Sequence, residues 1–375
     1  MTNTTPFSRR GFAKLFGAGA AYTALRPALG FHSGLKLAHG PTKAAGVVRL
    51  SSNENPYGPS PAALQAMTAA FGLAWRYPDE YADMLAEDLA RLHAVAVDHI
   101  LPGDGSGEIL KLCAAAFTNQ QKKIVIANPT FEAIARHASM AHAEVVKIDL
   151  ARDYSHDLPR MLAAASDAGL VYICNPNNPT ASITPKKDIR AFLTKLPRQT
   201  IVLIDEAYHH YVETSDYESV IPLVKDYPNL IVARTFSKIY GMAGLRCGYC
   251  VTQSANIKLM QAQQIFDSVN IMALVAARAG LQDIEHVAQG RRSNSEVKQY
   301  VYAELEKLGY RYIPSQANFM MIDLRRDVKP VIKALADRGV EVGRFFPPLP
   351  SFMRVTIGTR PQMESFVSAF RTVTG

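Results

Sequence analysis

The chain has 375 residues, 48% hydrophobic and 20% charged, a balance that supports one large or two medium domains with a well-buried core and excludes a disordered or membrane-embedded protein. The formal charge is +8, but Arg9, Arg10, Lys14 and Arg26 fall in the first 30 residues with no acid among them, which leaves +4 for the remainder. That mild excess, without a basic patch interleaved with aromatics, argues against nucleic acid as a partner.

The N-terminus reads S-R-R-G-F-A-K from Ser8 to Lys14, then an apolar stretch from Leu15 to Leu25. A charged start and an apolar segment well short of the roughly 20 residues that span a bilayer describe a secretory signal, not a membrane anchor. The paired arginines resemble a twin-arginine signal. That resemblance implies passage through the twin-arginine export machinery and a periplasmic or exported location, or a cytoplasmic one if the signal is not used. Ala28 and Ala38 mark two candidate cut sites, and export in a folded state would suit an enzyme that loads a cofactor first. Residues 1–30 are therefore assigned to the signal and 31–70 to an N-terminal arm and loop; 71–265 form a large domain and 266–375 a small one.

After the arm, R-L-S-S-N-E-N-P-Y-G-P-S-P (Arg49 to Pro61) gathers Asn, Pro and Gly into a stretch that is neither helix nor central strand. Tyr77 stands before a proline that stops any preceding helix, and Tyr81 to Val95 carries helical spacing. Next, L-P-G-D-G-S-G-E (Leu101 to Glu108) runs into an apolar helix. Backbone N–H groups and the positive end of a helix dipole make such a junction a phosphate cradle, with Gly105, Ser106 and Gly107 as its members. The spacing is that of neither a P-loop nor a dinucleotide fingerprint.

Short apolar runs follow at Ile124, Val171, Ile201 and Leu230, separated by helical patterns such as the one from Pro185. Continuous apolar strands alternating with helices predict a parallel sheet covered on both faces. In such α/β sheets the polar strand ends converge on a ligand in the crevice at the carboxyl edge. The last run leads into R-T-F-S-K-I-Y-G-M-A-G-L-R-C-G-Y, from Arg234 to Tyr249. A lysine that condenses with an aldehyde has to be partly desolvated and held beside cations, so that its neutral amine is accessible. Thr235, Ser237 and Arg246 suit a phosphate gripped next to Lys238, and Gly241 and Gly244 allow the tight turn that unites them. Lysine, phosphate clamp and turn together predict a pyridoxal-phosphate site.

Of the four cysteines, Cys247 and Cys250 form C-G-Y-C. No second pair accompanies it and G-Y-C-V-T reads as a buried strand, so neither a redox nor a metal site is expected. Tyr208-His209-His210-Tyr211 is not a metal cluster either, because adjacent histidines point in different directions.

The lysine stretch resembles the motif of fold-type I pyridoxal-phosphate-dependent aminotransferases, and the histidinol-phosphate aminotransferase branch in particular. The resemblance runs from about residue 45 to 375 and implies the aspartate aminotransferase-like α/β fold: a large domain with a mainly parallel sheet plus a smaller α+β domain. It implies that Asp205 pairs with the pyridine nitrogen, that Tyr208 and Asn178 bond the ring's phenolate oxygen, and that Phe131 stacks on the ring. By the same resemblance Asn53 and Tyr57 lie in the substrate loop, and Tyr77 crosses a homodimer to the neighbouring cofactor phosphate. Arg354 would fork the substrate anion, with Arg344 as a second contact. Three departures stand out: Gly107 stands where the family more often has Asp, Ala181 replaces a glycine, and E-V-G-R-F-F places Arg344 one residue later than the family's V-R.

The function implied is transfer of an amino group from an amino-acid-like or histidinol-phosphate-like donor to a 2-oxo acid such as 2-oxoglutarate, with Lys238, Asp205 and Tyr208 catalytic and no metal. A decarboxylase or lyase of the threonine-phosphate decarboxylase type, or an aromatic amino acid aminotransferase, uses the same residue set, because orientation of the scissile bond decides between them.

Overall fold

The structure, a computed structural model, describes residues 46–375. The export signal and the first part of the arm lie outside the described residues. Twelve strands are described: β1 (Val48–Leu50), β2 (Ile100–Gly103), β3 (Ile124–Asn128), β4 (Val145–Asp149), β5 (Leu170–Cys174), β6 (Ile201–Asp205), β7 (Leu230–Thr235), β8 (Gly248–Val251), β9 (Arg311–Ile313), β10 (Phe319–Asp323), β11 (Val340–Val342) and β12 (Phe352–Thr356).

Seven of these form the main sheet in the order β2-β8-β7-β6-β5-β3-β4. All neighbours pair in parallel except β8, which runs against both β2 and β7. Period-2 alternation decides which core each side chain enters. Val171, Ile173, Val202 and Ile204 face one apolar cluster, and Leu170, Tyr172, Cys174 and Leu203 face the other. Both faces are thus buried, which is why these strands read as unbroken apolar runs. Removing one such side chain, as in Leu203→Ala, costs about 2–5 kcal/mol.

The smaller sheet has the antiparallel order β12-β10-β9 and shares an apolar cluster with the helices Ile284–Lys307, Lys329–Ala336 and Arg360–Thr374. Beside it, β1 pairs in parallel with β11, so the segment just before the Asn-Pro-Gly loop is anchored to C-terminal residues. The helix Ile271–Gln282 differs from the expected boundary at 265. Its Ala273, Leu274, Ala276 and Ala277 are buried in the main sheet's core together with Ala63 of the helix Pro61–Ala70 and Leu89 of the helix Asp79–His93. Small side chains let these helices approach closely, and helical periodicity alone does not say which core a helix enters.

Candidate active site

Because β5, β6 and β7 are parallel and in register, their carboxyl ends deliver Asn175–Thr180, Asp205–Tyr208 and Thr235–Lys238 to one edge of the sheet. The loop after β1 closes over that edge. Lys238 Nζ donates to the main-chain oxygen of Asn53 at 3.0 Å and stands 5.5 Å from the Tyr208 ring centre. Burial first, then the nearby Arg354, lowers the Lys238 amine from 10.5 to about 8, with Arg246 acting in the same direction and Glu54 and Asp205 opposing. Neutral amine is therefore within reach near physiological pH.

Asp205, almost wholly buried, accepts from the Tyr172 hydroxyl at 2.9 Å and from the Ala207 N–H at 3.1 Å. Burial raises its carboxyl to about 6, against the pull of the Tyr172 hydrogen bond. The Tyr208 hydroxyl accepts from the side-chain amides of Asn53 at 3.1 Å and Asn178 at 3.4 Å, so its own proton is left for a ligand. Asn178 in turn accepts from Arg354 Nη1 at 2.8 Å, while Arg354 Nη2 donates to the Ser51 carbonyl at 2.8 Å. The Arg354 Nε is buried without a partner. The guanidinium carbon lies 5.6 Å from the Phe319 ring centre and 5.2 Å from that of Phe346, and Nε packs near Gly343.

A second cluster surrounds the start of the helix Gly105–Phe117. Thr235 Oγ1 donates to Ser237 Oγ at 3.0 Å, and Arg246 Nη1 reaches the same Ser237 oxygen at 3.4 Å. Gly105 has φ +72°, a left-handed conformation that favours glycine, and a Cβ there would lie 2.8 Å from Arg246 Cζ and push the guanidinium aside. Ser106 and Gly107 occupy the first helical turn itself, after the single linking residue Asp104. Hydroxyls, a guanidinium and free helix N–H groups make a phosphate cradle. Gly241, at φ +69°, packs onto the backbone of Gly58, which clamps the lysine turn against the N-terminal loop; Gly244 faces open space and carries no such demand.

Not every expected residue joins these clusters. Tyr57, Phe131 and Tyr77 are 47%, 40% and 81% exposed. Arg344 is exposed and donates at 2.8 Å to Glu132, just before the helix Ala133–Met140, while its guanidinium lies over Phe346. Behind the site the period-2 rule sends Glu206, next to Asp205, to the other face, where it holds the buried Arg234 at 2.6 Å. Arg234 also bonds His209, whose ring lies against His210. Burial and Arg234 keep both histidines neutral, with His210 lowered to about 3. Among the described residues no three His, Cys, Asp or Glu side chains are arranged to hold a metal ion, and all four cysteines are free and buried.

Residues 45–370 match the family described as Aminotransferase class I and II. The chain belongs to that family. This class I and II aminotransferase is 41% identical over 331 residues to the histidinol-phosphate aminotransferase of Moorella thermoacetica, covering 87% of this chain and 85% of that one. It is 42% identical over 333 residues to the same enzyme of Symbiobacterium thermophilum, covering 88% and 91%. The histidinol-phosphate aminotransferase of Sinorhizobium meliloti, solved in complex with pyridoxal-5'-phosphate, shares the fold with a TM-score of 0.83 at 27% identity, covering 87% of this chain and 90% of that one. The aminotransferase fold is thus the fold-type I, aspartate aminotransferase-like one, and the enzyme is pyridoxal-phosphate-dependent.

The donor set of this aminotransferase fits that cofactor. A lysine with an accessible neutral amine, a buried carboxylate with free lone pairs and a hydroxyl, guanidinium and N–H cradle answer an aldehyde, a ring nitrogen and a phosphate respectively. Two side chains went unnoticed in the sequence. Tyr172 sits in an apolar strand and looks like core. Asn318 bonds the carbonyls of Asn53 at 3.1 Å and Glu54 at 3.3 Å and leaves its own oxygen buried without a partner. Its position before the apolar run Phe319–Asp323, like the polar residues at the other strand ends, was the available signal.

Proposed function

We propose that this aminotransferase takes its amino group from an anionic amine, histidinol phosphate before others, and passes it to a 2-oxo acid such as 2-oxoglutarate. The observation that carries the reading is Arg354: its guanidinium lies half-buried beside Asn178 with an unsatisfied Nε, a site for a phosphate or carboxylate of the donor. The names of the relatives support the same donor. Pyridoxal phosphate, when bound, supplies the electron sink and carries the amino group between donor and acceptor.

The chain's own residues have separable tasks in this reading. Gly105, Ser106, Gly107, Thr235, Ser237 and Arg246 hold the phosphate. Asp205 would pair with the ring nitrogen, Tyr208 and Asn178 would bond the ring's phenolate oxygen, and Phe131 would cover the ring. The Lys238 amine, once neutral, would be the base that takes the proton from the donor carbon that bears nitrogen. Asn53 and Tyr57 enclose the substrate, and Arg344 offers a second cation at the rim once it leaves Glu132. Exposed Trp75, Tyr77 and Phe266 (74%, 81% and 87%) support a homodimer in which Tyr77 reaches the partner's site. The Ser8–Lys14 motif supports export through the twin-arginine machinery to the periplasm.

Incubation with histidinol phosphate and 2-oxoglutarate tests the substrate, with glutamate as the readout and phenylalanine as competing donor. Glutamate formation with kcat/KM higher for histidinol phosphate supports the proposal. A preference for phenylalanine selects the aromatic alternative, and carbon dioxide release without an oxo acid selects the decarboxylase.

A further inference from the structure

Tyr172 lies at the middle of β5 with its side chain fully buried. Its hydroxyl donates to Asp205 Oδ2 at 2.9 Å. The register brings them together: Cys174 stands opposite Asp205, so Tyr172, two residues earlier, shares that face and its long ring reaches forward to the carboxylate. The other oxygen, Oδ1, accepts the Ala207 N–H. One hydroxyl and one amide thus fix the carboxylate in two directions while leaving lone pairs for a ligand. A hydroxyl among Leu170, Leu203 and Ile126 is unfavourable unless it is bonded, and phenylalanine would fill the same space.

We propose that Tyr172 is a positioning residue for transamination, whose hydroxyl orients the Asp205 carboxylate toward the cofactor's ring nitrogen and favours its charged form. This rests on the role given to Asp205 above. The titratable and charged groups around that carboxyl are Tyr172 and Cys174 from β5, Glu206, Tyr208 and Tyr217 from its own strand end and the segment after it, and Lys238 from the turn after β7. Burial pushes the carboxyl up, and the Tyr172 hydrogen bond is the strongest of the influences pulling it down, ahead of the Ala207 amide and Lys238. Burial and Asp205 together push the Tyr172 hydroxyl far up, so it remains a donor across the working pH range.

Loss of the hydroxyl therefore raises the carboxyl's pKa and makes Asp205 accept a proton earlier on acidification. In the holoenzyme, Tyr172→Phe is expected to lower kcat about tenfold with KM little changed, the scale of one hydrogen bond to a charged group. The acid limb of the kcat/KM profile moves to higher pH. Cofactor dissociation, followed by visible absorbance, is about tenfold weaker in affinity at pH 6 and converges on wild type near pH 8, where the carboxyl is charged in both. Placing 3-fluorotyrosine at position 172, a more acidic phenol and stronger donor, moves the limb the opposite way.

A folded Tyr172→Phe enzyme whose pH profile and cofactor affinity superimpose on wild type overturns the proposal, as does an unmoved limb with the fluorinated ring. Asp205→Asn separates the two levels. If that variant is fully active, the reading of Asp205 fails; if it is inactive while Tyr172→Phe is unaltered, only the role of Tyr172 fails.

Discussion

Lys238 Nζ is hydrogen-bonded to the main-chain oxygen of Asn53 at 3.0 Å, which ties the turn after β7 to a loop almost two hundred residues earlier in the chain. Asn53 holds φ +56°, its N–H donates to Thr356 Oγ1 at 2.9 Å, and its amide donates to Tyr208. The Lys238 amine, Tyr208 and the C-terminal strand β12 therefore meet at one residue. That junction places an amine with a lowered pKa near Arg354, whose Nε has no partner, an arrangement that fits the role proposed for Lys238.

The lowered Lys238 amine makes a stability prediction with a definite sign. Between about 8 and 10.5 the unfolded chain binds a proton that the folded chain does not, so stability rises with pH in that window; below 8 the buried charge is a standing cost. Lys238→Met is expected to abolish turnover yet to stabilise the cofactor-free protein by about 1–2 kcal/mol at pH 7, less than the full shift implies because the side chain is only half-buried. Denaturant titrations at pH 7 and pH 10 check it: the gap to wild type should narrow at the higher pH, and a constant gap would sink the account of the amine.

Arg354→Lys keeps the charge and loses the fork. Since Nη1 and Nη2 already serve Asn178 and Ser51, the anion is left to a single point charge. KM for an anionic donor should rise about 10- to 100-fold, the scale of a charge-assisted hydrogen bond, with kcat less affected. Equal KM values in the two enzymes would place the substrate anion elsewhere.

Two neighbouring glycines should respond differently. Gly105→Ala forces a left-handed conformation on alanine and drives its Cβ into Arg246, at a cost of about 1–3 kcal/mol, and should weaken pyridoxal phosphate binding at least tenfold. Gly107→Ala meets Arg246 no closer than 3.8 Å and should bind nearly as well as wild type. Equilibrium dialysis of the cofactor decides, and equal affinities in the two variants would remove the phosphate from this cradle.

Removing Arg234 takes the ion-pair partner from the buried Glu206, which keeps only the Ser219 hydroxyl and the Val220 N–H, and takes one hydrogen bond each from Ser219 and His209. Arg234→Ala should cost about 3–5 kcal/mol, read as a lower thermal midpoint. A midpoint within a degree of wild type would mean that water replaces the guanidinium.

Much of this site was legible because a parallel sheet puts strand ends together. Asp205, Asn178 and Lys238 each follow an apolar run, so the order of runs foretold their convergence. Other relationships left no local trace. The edge strand β4 reads V-V-K-I-D, half-buried and too polar to stand out as a buried run. The Arg344–Glu132 pair and the β1–β11 ladder join distant parts of the chain, and nothing in the spacing of either partner announces the other. Tyr172 was hidden for the opposite reason: its ring satisfies the apolar pattern, and only the register with β6 shows what its hydroxyl meets. Helix Ile271–Gln282 buries small side chains, and helical spacing alone does not say which core they enter.

The most direct measurement is a single half-reaction. Histidinol phosphate added without any oxo acid to the purified, cofactor-loaded enzyme should convert the bound cofactor's absorbance stoichiometrically to that of pyridoxamine phosphate, and Lys238→Met should show no conversion. Absence of conversion in the wild-type enzyme with histidinol phosphate and with every amino acid tried, or conversion that persists without Lys238, would contradict the account.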